Sequence, residues 1–435
     1  MLEGLRAAAQ RNSDDKALRT ATRLCKRLLS ERGAANSVAI ASDFVQAYAD
    51  LPEKQRAGLF ETLADDYSPD PQAVLAAASA YAKAPTAQHL VQLSQVTEPP
   101  RQELLRRINR APGGTACLIS MRRELLDLLP ANPALLALEA DLMHLLSSWF
   151  NPGFLRLEKV DWQSPAQLLE QLIRHEAVHA IDGWDDLRRR LQPDRRCYAF
   201  FHPQLPGEPL IFVEVALLSE MPAMIAPLID KQTAPQQPSS FKVAAFYSIS
   251  NCQPGLRGVS LGNFLIKQVA TALHAELPRL KRFCTLSPIP GLIDWLLKQR
   301  DFEALPQVKK VHVPRLQAAH ALLMKSCGQD LAGLMQQESG TELDALQQEA
   351  LLRLSAAYLV YQTHGSGGDP VARFHLDNGA RLERLNLVGN PSRKGLRQSA
   401  GVMVNYLYEL DEVETRHEHY TLGEVVHARA VAALL

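Results

Sequence analysis

The stretch Ala244-Ala-Phe-Tyr-Ser-Ile-Ser-Asn-Cys-Gln-Pro-Gly-Leu-Arg-Gly-Val-Ser-Leu-Gly-Asn-Phe-Leu-Ile-Lys267 carries three structural signals in a row. Val243 to Ile249 is apolar, aromatic and β-branched, which predicts a buried strand. Gln253-Pro-Gly-Leu-Arg-Gly predicts a turn, because proline fixes φ and glycine supplies positive φ. From Leu261 the apolar residues Leu261, Phe264, Leu265, Val269 and Leu273 fall at the spacing of one helix face. A strand, a glycine-rich turn and a helix N-terminus suit an anion, since the first helical N–H groups point outward and the dipole is positive there. Gly258 and Gly262 have no Cβ to hold a diphosphate off the backbone. The same pattern also describes a tight turn with no ligand, so the chemistry has to be sought across the whole chain.

At 435 residues the chain is too long for one ordinary core and predicts two or three domains. Hydrophobic residues make up 46% and charged residues 22%, the balance of a soluble globular protein. Lys+Arg and Asp+Glu both number 47, so no global field recruits nucleic acid or an anionic membrane. Phosphate binding then needs a local cluster. The cysteines Cys25, Cys117, Cys197, Cys252, Cys284 and Cys327 are scattered without Cys-x-x-Cys pairs, which suggests reduced thiols in a cytosolic-type compartment. No apolar run reaches membrane-spanning length, and the N-terminus lacks the apolar core of a signal peptide.

The central turn carries neither Gly-x-x-x-x-Gly-Lys-Ser/Thr nor Gly-x-Gly-x-x-Gly. Arg257-Gly-Val-Ser-Leu-Gly262 instead resembles the Arg/Gln-x-x-Gly-x-Gly/Ala loop with which GNAT-type N-acetyltransferases cradle the pyrophosphate of coenzyme A, with Ser260 in place of the first glycine.

Residues 1–150 are rich in Ala, Leu, Arg, Glu and Gln and punctuated by proline. The runs Ser37–Leu51, Lys54–Tyr67, Ala73–Lys83 and Gln88–Val96 predict a helical bundle, a common oligomerisation module. Ser164-Pro-Ala-Gln167 predicts a capped helix start, and the helix it opens would carry His175-Glu-Ala-Val-His179, the His-Glu-x-x-His zinc pattern. A catalytic zinc needs a third protein ligand, and Ala180-Ile-Asp-Gly-Trp-Asp-Asp offers none in a zincin continuation. Both histidines also continue the Leu168/Leu172 stripe, so partial burial accounts for them.

Cys197–Phe201 and Leu210–Leu217 then predict strands about a Pro/Gly-rich connection. Arg282–Leu286 predicts the strand after the central helix, giving a mainly parallel arrangement, and Leu292–Gln299 a short helix. Residues 300–363 are helical. Val371–Leu376 and Arg381–Leu387 predict strands about Asp377-Asn-Gly379, with His375 sharing a face with Arg373 and Asp377, and Ser399–Tyr408 predicts a final strand. The segment from Asp411 to Tyr420, acidic and rich in histidine, predicts a solvated face.

Several ordered segments together resemble the malonyl-CoA decarboxylase family. They are His175–Leu191, Pro206-Gly-Glu-Pro-Leu210, Phe246-Tyr-Ser-Ile-Ser250, Gly255-Leu-Arg-Gly-Val259, Leu286-Ser-Pro-Ile-Pro-Gly291, Pro370–Ala380 and Asn405-Tyr406. The resemblance covers about residues 150–410. It implies an α+β protein, with a helical-bundle N-terminal domain (1–150) and a GNAT-like mixed α/β catalytic domain (151–435) that carries a helical insertion over 300–363. It also implies a homodimer or homotetramer acting on malonyl-CoA with no metal and no dissociable cofactor, in malonate use or in the control of fatty-acid metabolism; the scattered thiols place it in the cytoplasm. Carried over by position, the catalytic residues are Ser287, His375 and Tyr406. The coenzyme A loop is Arg257, Gly258, Val259, Ser260, Leu261, Gly262 and Asn263. Ser260 stands where some members have glutamate, and is read as a loop contact.

Loss of CO2 from malonyl-CoA leaves an enolate that must be stabilised and protonated at C2. His375 suits the acid, since an ordinary imidazole titrates near neutrality. Ser287 would orient it or the substrate carboxylate. Backbone N–H groups about Ser250 and Asn251 would hold the thioester oxygen, and Asn405 would lie near the acyl group. Two other functions use the same features: transfer of an acyl group from coenzyme A to an amine, and a non-catalytic sensor of malonyl-CoA. Malonyl-CoA supplied alone separates all three by whether acetyl-CoA forms.

Overall fold

The computed structural model describes residues 2–30, 36–259, 261, 265–326, 343–365 and 367–435. Two compact units result, the first comprising Met1–Arg156 with two returning segments, Phe201–Leu210 and Gln253–Leu261.

The helical unit contains α1 (Leu2–Leu29), α2 (Ser37–Ala49), α3 (Glu53–Asp65), α4 (Pro71–Lys83), α5 (Ala87–Thr97), α6 (Pro100–Asn109), α7 (Gly114–Leu128) and α8 (Leu136–Trp149). The prolines set the boundaries. Pro71 and Pro100 occupy first-turn positions, where a missing N–H costs nothing. Asp70 and Thr86 cap their helices by accepting the N–H groups of Gln72 and His89. The apolar faces meet in a core that buries Phe44, Phe60, Leu104, Leu118 and Leu142 completely.

The second unit is built on a mixed sheet: β1 (Arg156–Val160), β2 (Arg195–Phe201), β3 (Pro209–Leu218), β4 (Val243–Asn251), β5 (Arg282–Thr285), β6 (Ser287–Pro288), β7 (Arg381–Asn386) and β8 (Met403–Tyr408). The strand order is β1-β2-β3-β4-β5-β8-β6, with β7 also paired to β8. Around the sheet lie α9 (Ala166–His175), α10 (Gly183–Arg190), α11 (Leu265–Glu276), α12 (Leu292–Lys298), α13 (Val313–Ser326), α14 (Ala345–Ala357), α15 (Pro370–Asp377), α16 (Arg393–Ser399) and α17 (Val413–Thr421). The chain is thus helical at its N-terminal end and mixed sheet and helix after it, as the composition change near Trp149 implied.

A mainly parallel sheet does not form. β4 and β5 pair in parallel, because α11 carries the chain back to the same end before β5 begins. The pairs β3–β4, β5–β8, β6–β8 and β7–β8 are all antiparallel.

Several local expectations also change. Val371–Leu376 is helix, not strand. Asp369 accepts the N–H groups of Val371 and Ala372 while Pro370 stands at the first helical position, so a strong start signal outweighs the short alternation. Gly379, at φ +76°, ends that helix instead of turning a hairpin. His375 therefore shares its buried side with Ala372 and Leu376, at helical spacing. Ser399 closes α16, and the last strand begins only at Met403. Near the start of this unit, Ser164 turns back to accept the N–H of Asp161 instead of capping α9. Asp411–Tyr420 forms most of α17, with Val413 and Arg416 buried.

Candidate active site

Phe246 is the last residue of β4 paired with β5, opposite Thr285. The N–H of Leu286 still donates to the carbonyl of Phe246 at 3.0 Å, and Tyr247 to Asn251 run on past that point. The β3–β4 register shifts between Glu214 and Val215, so a bulge at this level re-aims the outer half of β4. A cavity of about 300 Å³ opens where the two strands part. Ile211, Phe246, Ile249, Leu286, Pro288, Val371 and Phe374 make most of its wall apolar, and Ser287 and His375 give it a polar end.

Ser287 comes from the two-residue strand β6, held against Val404 of β8. His375 comes from α15, whose register is set by the Asp369 cap. Their side chains meet: Oγ of Ser287 lies 3.0 Å from Nε2 of His375, and both residues are buried. Oγ of Ser287 also donates to Oγ1 of Thr285 at 2.9 Å. Nδ1 of His375 is 2.9 Å from the hydroxyl of Tyr408. The imidazole is thus held at both nitrogens.

Tyr406 stacks on the imidazole, with ring centroids 4.6 Å apart and planes 30° apart. It is completely buried, its N–H donates to Oγ1 of Thr285 at 3.1 Å, and its hydroxyl has no hydrogen-bond partner among the described residues. Burial alone pushes the His375 pKa from 6.5 down to about 3, so the closed site holds a neutral imidazole at pH 7. This corrects the expectation of near-neutral titration: the wall excludes the water that would solvate an imidazolium. Burial likewise raises the Tyr406 and Tyr408 phenols well above 10, and both stay protonated.

Asp369, behind α15, is raised to about 6 by burial, against the N–H groups of Ala372, Gly291 and Val371 that favour its anion. Its Oδ2 takes the N–H of Gly291 at 3.2 Å. One carboxylate therefore ties the histidine helix to the turn that follows Ser287.

The remaining expected residues divide by location. Asn251 lines the cavity. The Ser250 hydroxyl does not line it. It donates to Oε2 of Glu176 at 3.2 Å and accepts the N–H of Ala177 at 3.3 Å. Asn405 is fully buried and its amide is committed: Nδ2 donates to the carbonyls of Thr285 and Pro222, and Oδ1 receives Arg384 and Asn386. Arg257, Gly258, Val259 and Leu261 lie in the returning turn of the helical unit, with Arg257 and Gly258 exposed and Val259 and Leu261 buried. Ser260, Gly262 and Asn263 lie outside the described residues.

The His-Glu-x-x-His reading fails on geometry. α9 ends at His175, so Glu176 to His179 form a turn and the two imidazoles do not share a helix face. Glu176 instead accepts the N–H groups of Val178 and His179 and the hydroxyls of Ser248 and Ser250. Among the described residues no group of three His, Cys, Asp or Glu could hold a metal ion. Sequence reasoning missed Tyr408, Thr285 and Asp369. Tyr408 sat two residues beyond the quoted Asn405-Tyr406 pair, and the Asp369-Pro370 signal was legible as a helix cap.

Residues 153–435 match the family model described as malonyl-CoA decarboxylase C-terminal domain, and residues 67–150 match the corresponding N-terminal domain. The chain is 35% identical to the mitochondrial malonyl-CoA decarboxylase of Mus musculus, over 88% of this chain and 82% of that one. Against the enzyme of the same description from Anser anser anser it is 37% identical, over 74% of this chain and 66% of that one. It superposes on the crystal structure of malonyl-CoA decarboxylase from Rhodopseudomonas palustris with a TM-score of 0.84 and 43% identity, covering 95% and 98% of the two chains.

Proposed function

The chain belongs to the malonyl-CoA decarboxylase family and converts malonyl-CoA to acetyl-CoA and CO2, and we propose that His375 and Ser287 deliver the proton this conversion requires. The observation that carries the assignment is the 3.0 Å contact between Nε2 of His375 and Oγ of Ser287, at a polar end of a mostly apolar cavity.

The reaction breaks the C2–carboxylate bond. Its electron pair passes into the thioester carbonyl, and C2 then takes one proton. The substrate's own thioester is the electron sink, so the step draws on no dissociable cofactor and no metal. An apolar wall strips water from the carboxylate and so favours its departure as neutral CO2. Asn251 and the backbone beside it, on the diverging part of β4, receive the enolate oxygen.

The proton has to come from an acid stronger than the neutral imidazole, whose single N–H is too weakly acidic to give it up. Arrival of the malonyl carboxylate beside the imidazole favours its charged form, so substrate binding takes up a proton. The imidazolium then gives its Nε2 proton to C2 and returns to the neutral ring, with Ser287 holding the ring and the leaving carboxylate in line. Tyr406 supports the ring by stacking, and Asn405 fixes the frame through Thr285. The turn Arg257–Asn263 holds the nucleotide end of the substrate. The helical unit serves self-association into dimers or tetramers in the cytoplasm.

Malonyl-CoA supplied alone tests the roles through acetyl-CoA release. Ser287→Ala and His375→Asn are each expected to lower kcat by about 10²–10⁴ with the fold retained. Calorimetry in buffers of different ionisation enthalpy should show uptake of a proton when malonyl-CoA binds Ser287→Ala, and none with His375→Asn. Full turnover by His375→Asn removes the proposal.

A further inference from the structure

We propose that Arg122, on α7 of the helical unit, is a positioning residue for coenzyme A: it holds the turn Gln253–Leu261 in the shape that receives the diphosphate. This rests on the reading of that turn as the nucleotide-binding element.

Arg122 is 1% exposed. Its Nη1 donates to the carbonyl of Gly255 at 2.6 Å, while Nη2 and Nε donate to Oε1 of Glu139 on α8 at 2.7 and 3.2 Å. A buried charge pair is a costly way to join two helices, since apolar side chains of the same volume do it as well or better. What the guanidinium adds is a rigid fork that can hold a carboxylate and a distant carbonyl together.

The turn is built around that contact. Its backbone lies so close to α7 that a Cβ on Gly255 would stand 2.1 Å from the carbonyl oxygen of Ile119. Leu256, Val259 and Leu261 are buried, whereas Arg257 and Gly258 are exposed, Gly258 at φ +81°. The N–H groups of Leu256, Arg257 and Val259 donate to Gln253, Pro254 and Leu256 within the turn. Most of its rigidity is therefore internal, its seat is the Arg122 fork, and its presented cation is Arg257.

The test compares malonyl-CoA with malonyl-pantetheine, which lacks the nucleotide. The double variant Arg122→Met/Glu139→Gln removes both charges at once, so no lone buried ion remains. It is expected to raise KM for malonyl-CoA by about tenfold or more, the scale of a lost charged hydrogen bond. Its kcat should hold within about twofold, and kcat/KM for malonyl-pantetheine should match the parent enzyme. Equal losses on both substrates, or an unchanged KM, overturn the proposal. Should the double variant not fold, Arg122→Lys carries the test, because a lysine keeps the charge but not the fork. A rise in KM confined to malonyl-CoA supports the proposal, and none overturns it. Arg257→Ala reports on the turn itself. A nucleotide-selective effect there with none from Arg122 removes only the anchor, whereas no selective effect from Arg257→Ala removes the reading of the turn and the anchor with it.

Discussion

The imidazole of His375 is kept neutral by burial, and the two hydroxyls that hold it decide its tautomer. Tyr408 is kept protonated by burial, so its O–H can donate to Nδ1 of the neutral ring and leave the proton on Nε2, facing Ser287. Tyr408→Phe keeps the ring packing and removes only that donor. It should lower kcat about tenfold, the scale of one hydrogen bond, with KM for malonyl-CoA little changed. An unchanged kcat would show that Ser287 and the Tyr406 stack are enough. Acid stability offers an independent check. His375 and His179 are both lowered from 6.5 to about 3, His375 by burial and His179 by burial with Arg190 and Lys394 nearby. Between pH 6.5 and pH 3 the unfolded chain binds protons at these positions and the folded one does not. Their contribution is complete above pH 6.5 and is lost as pH falls toward 3. His375→Gln should therefore lose less stability than the parent on going from pH 7 to pH 4.5, measured by urea unfolding at each pH.

The element that matters most is α15, because its register alone carries His375 to Ser287. Asp369 caps it through Val371 and Ala372 and also holds Gly291 of the turn after Ser287. Asp369→Ala removes both ties. The expected cost is about 1–2 kcal/mol of stability in denaturant unfolding, typical of a lost cap. Turnover should fall by more than Tyr408→Phe produces, since the histidine loses its placement. Asp369→Asn keeps a capping oxygen and should recover most of the stability. The same helix shows why a short alternating run misleads: Ala372-Arg-Phe-His-Leu376 fits period two over five residues, but the capping aspartate and first-turn proline satisfy the backbone as helix before any sheet partner is met.

At the scale of the whole molecule the helical unit reclaims Phe201–Leu210 and Gln253–Leu261 from the later part of the chain. A fragment starting at residue 151 would expose Leu256, Val259 and Leu261, which are buried in the full chain. It should be poorly soluble alone and recover when coexpressed with residues 1–150, measured by the soluble fraction; a well-folded monomeric fragment would show that the returning segments are dispensable. The helical runs of the first 150 residues, the strand Val243–Ile249, the turn after it and the ordered family motifs were all legible in the sequence, because local capping, periodicity and residue type set them. The cavity's lining was legible only in part: Ser287, His375 and Asn251 were expected there, and its apolar wall was not. Ser250 and Asn405 lie in quoted motifs, yet their polar groups are committed to Glu176 and Thr285, and only chain pairing over long separations decides such partners. The sequence by itself determined that a strand, a glycine turn and a serine–histidine pair belong to one enzyme. Only the tertiary structure decided that the histidine rides on a helix and sits neutral in an apolar wall, because burial and partner choice depend on neighbours the sequence leaves far apart.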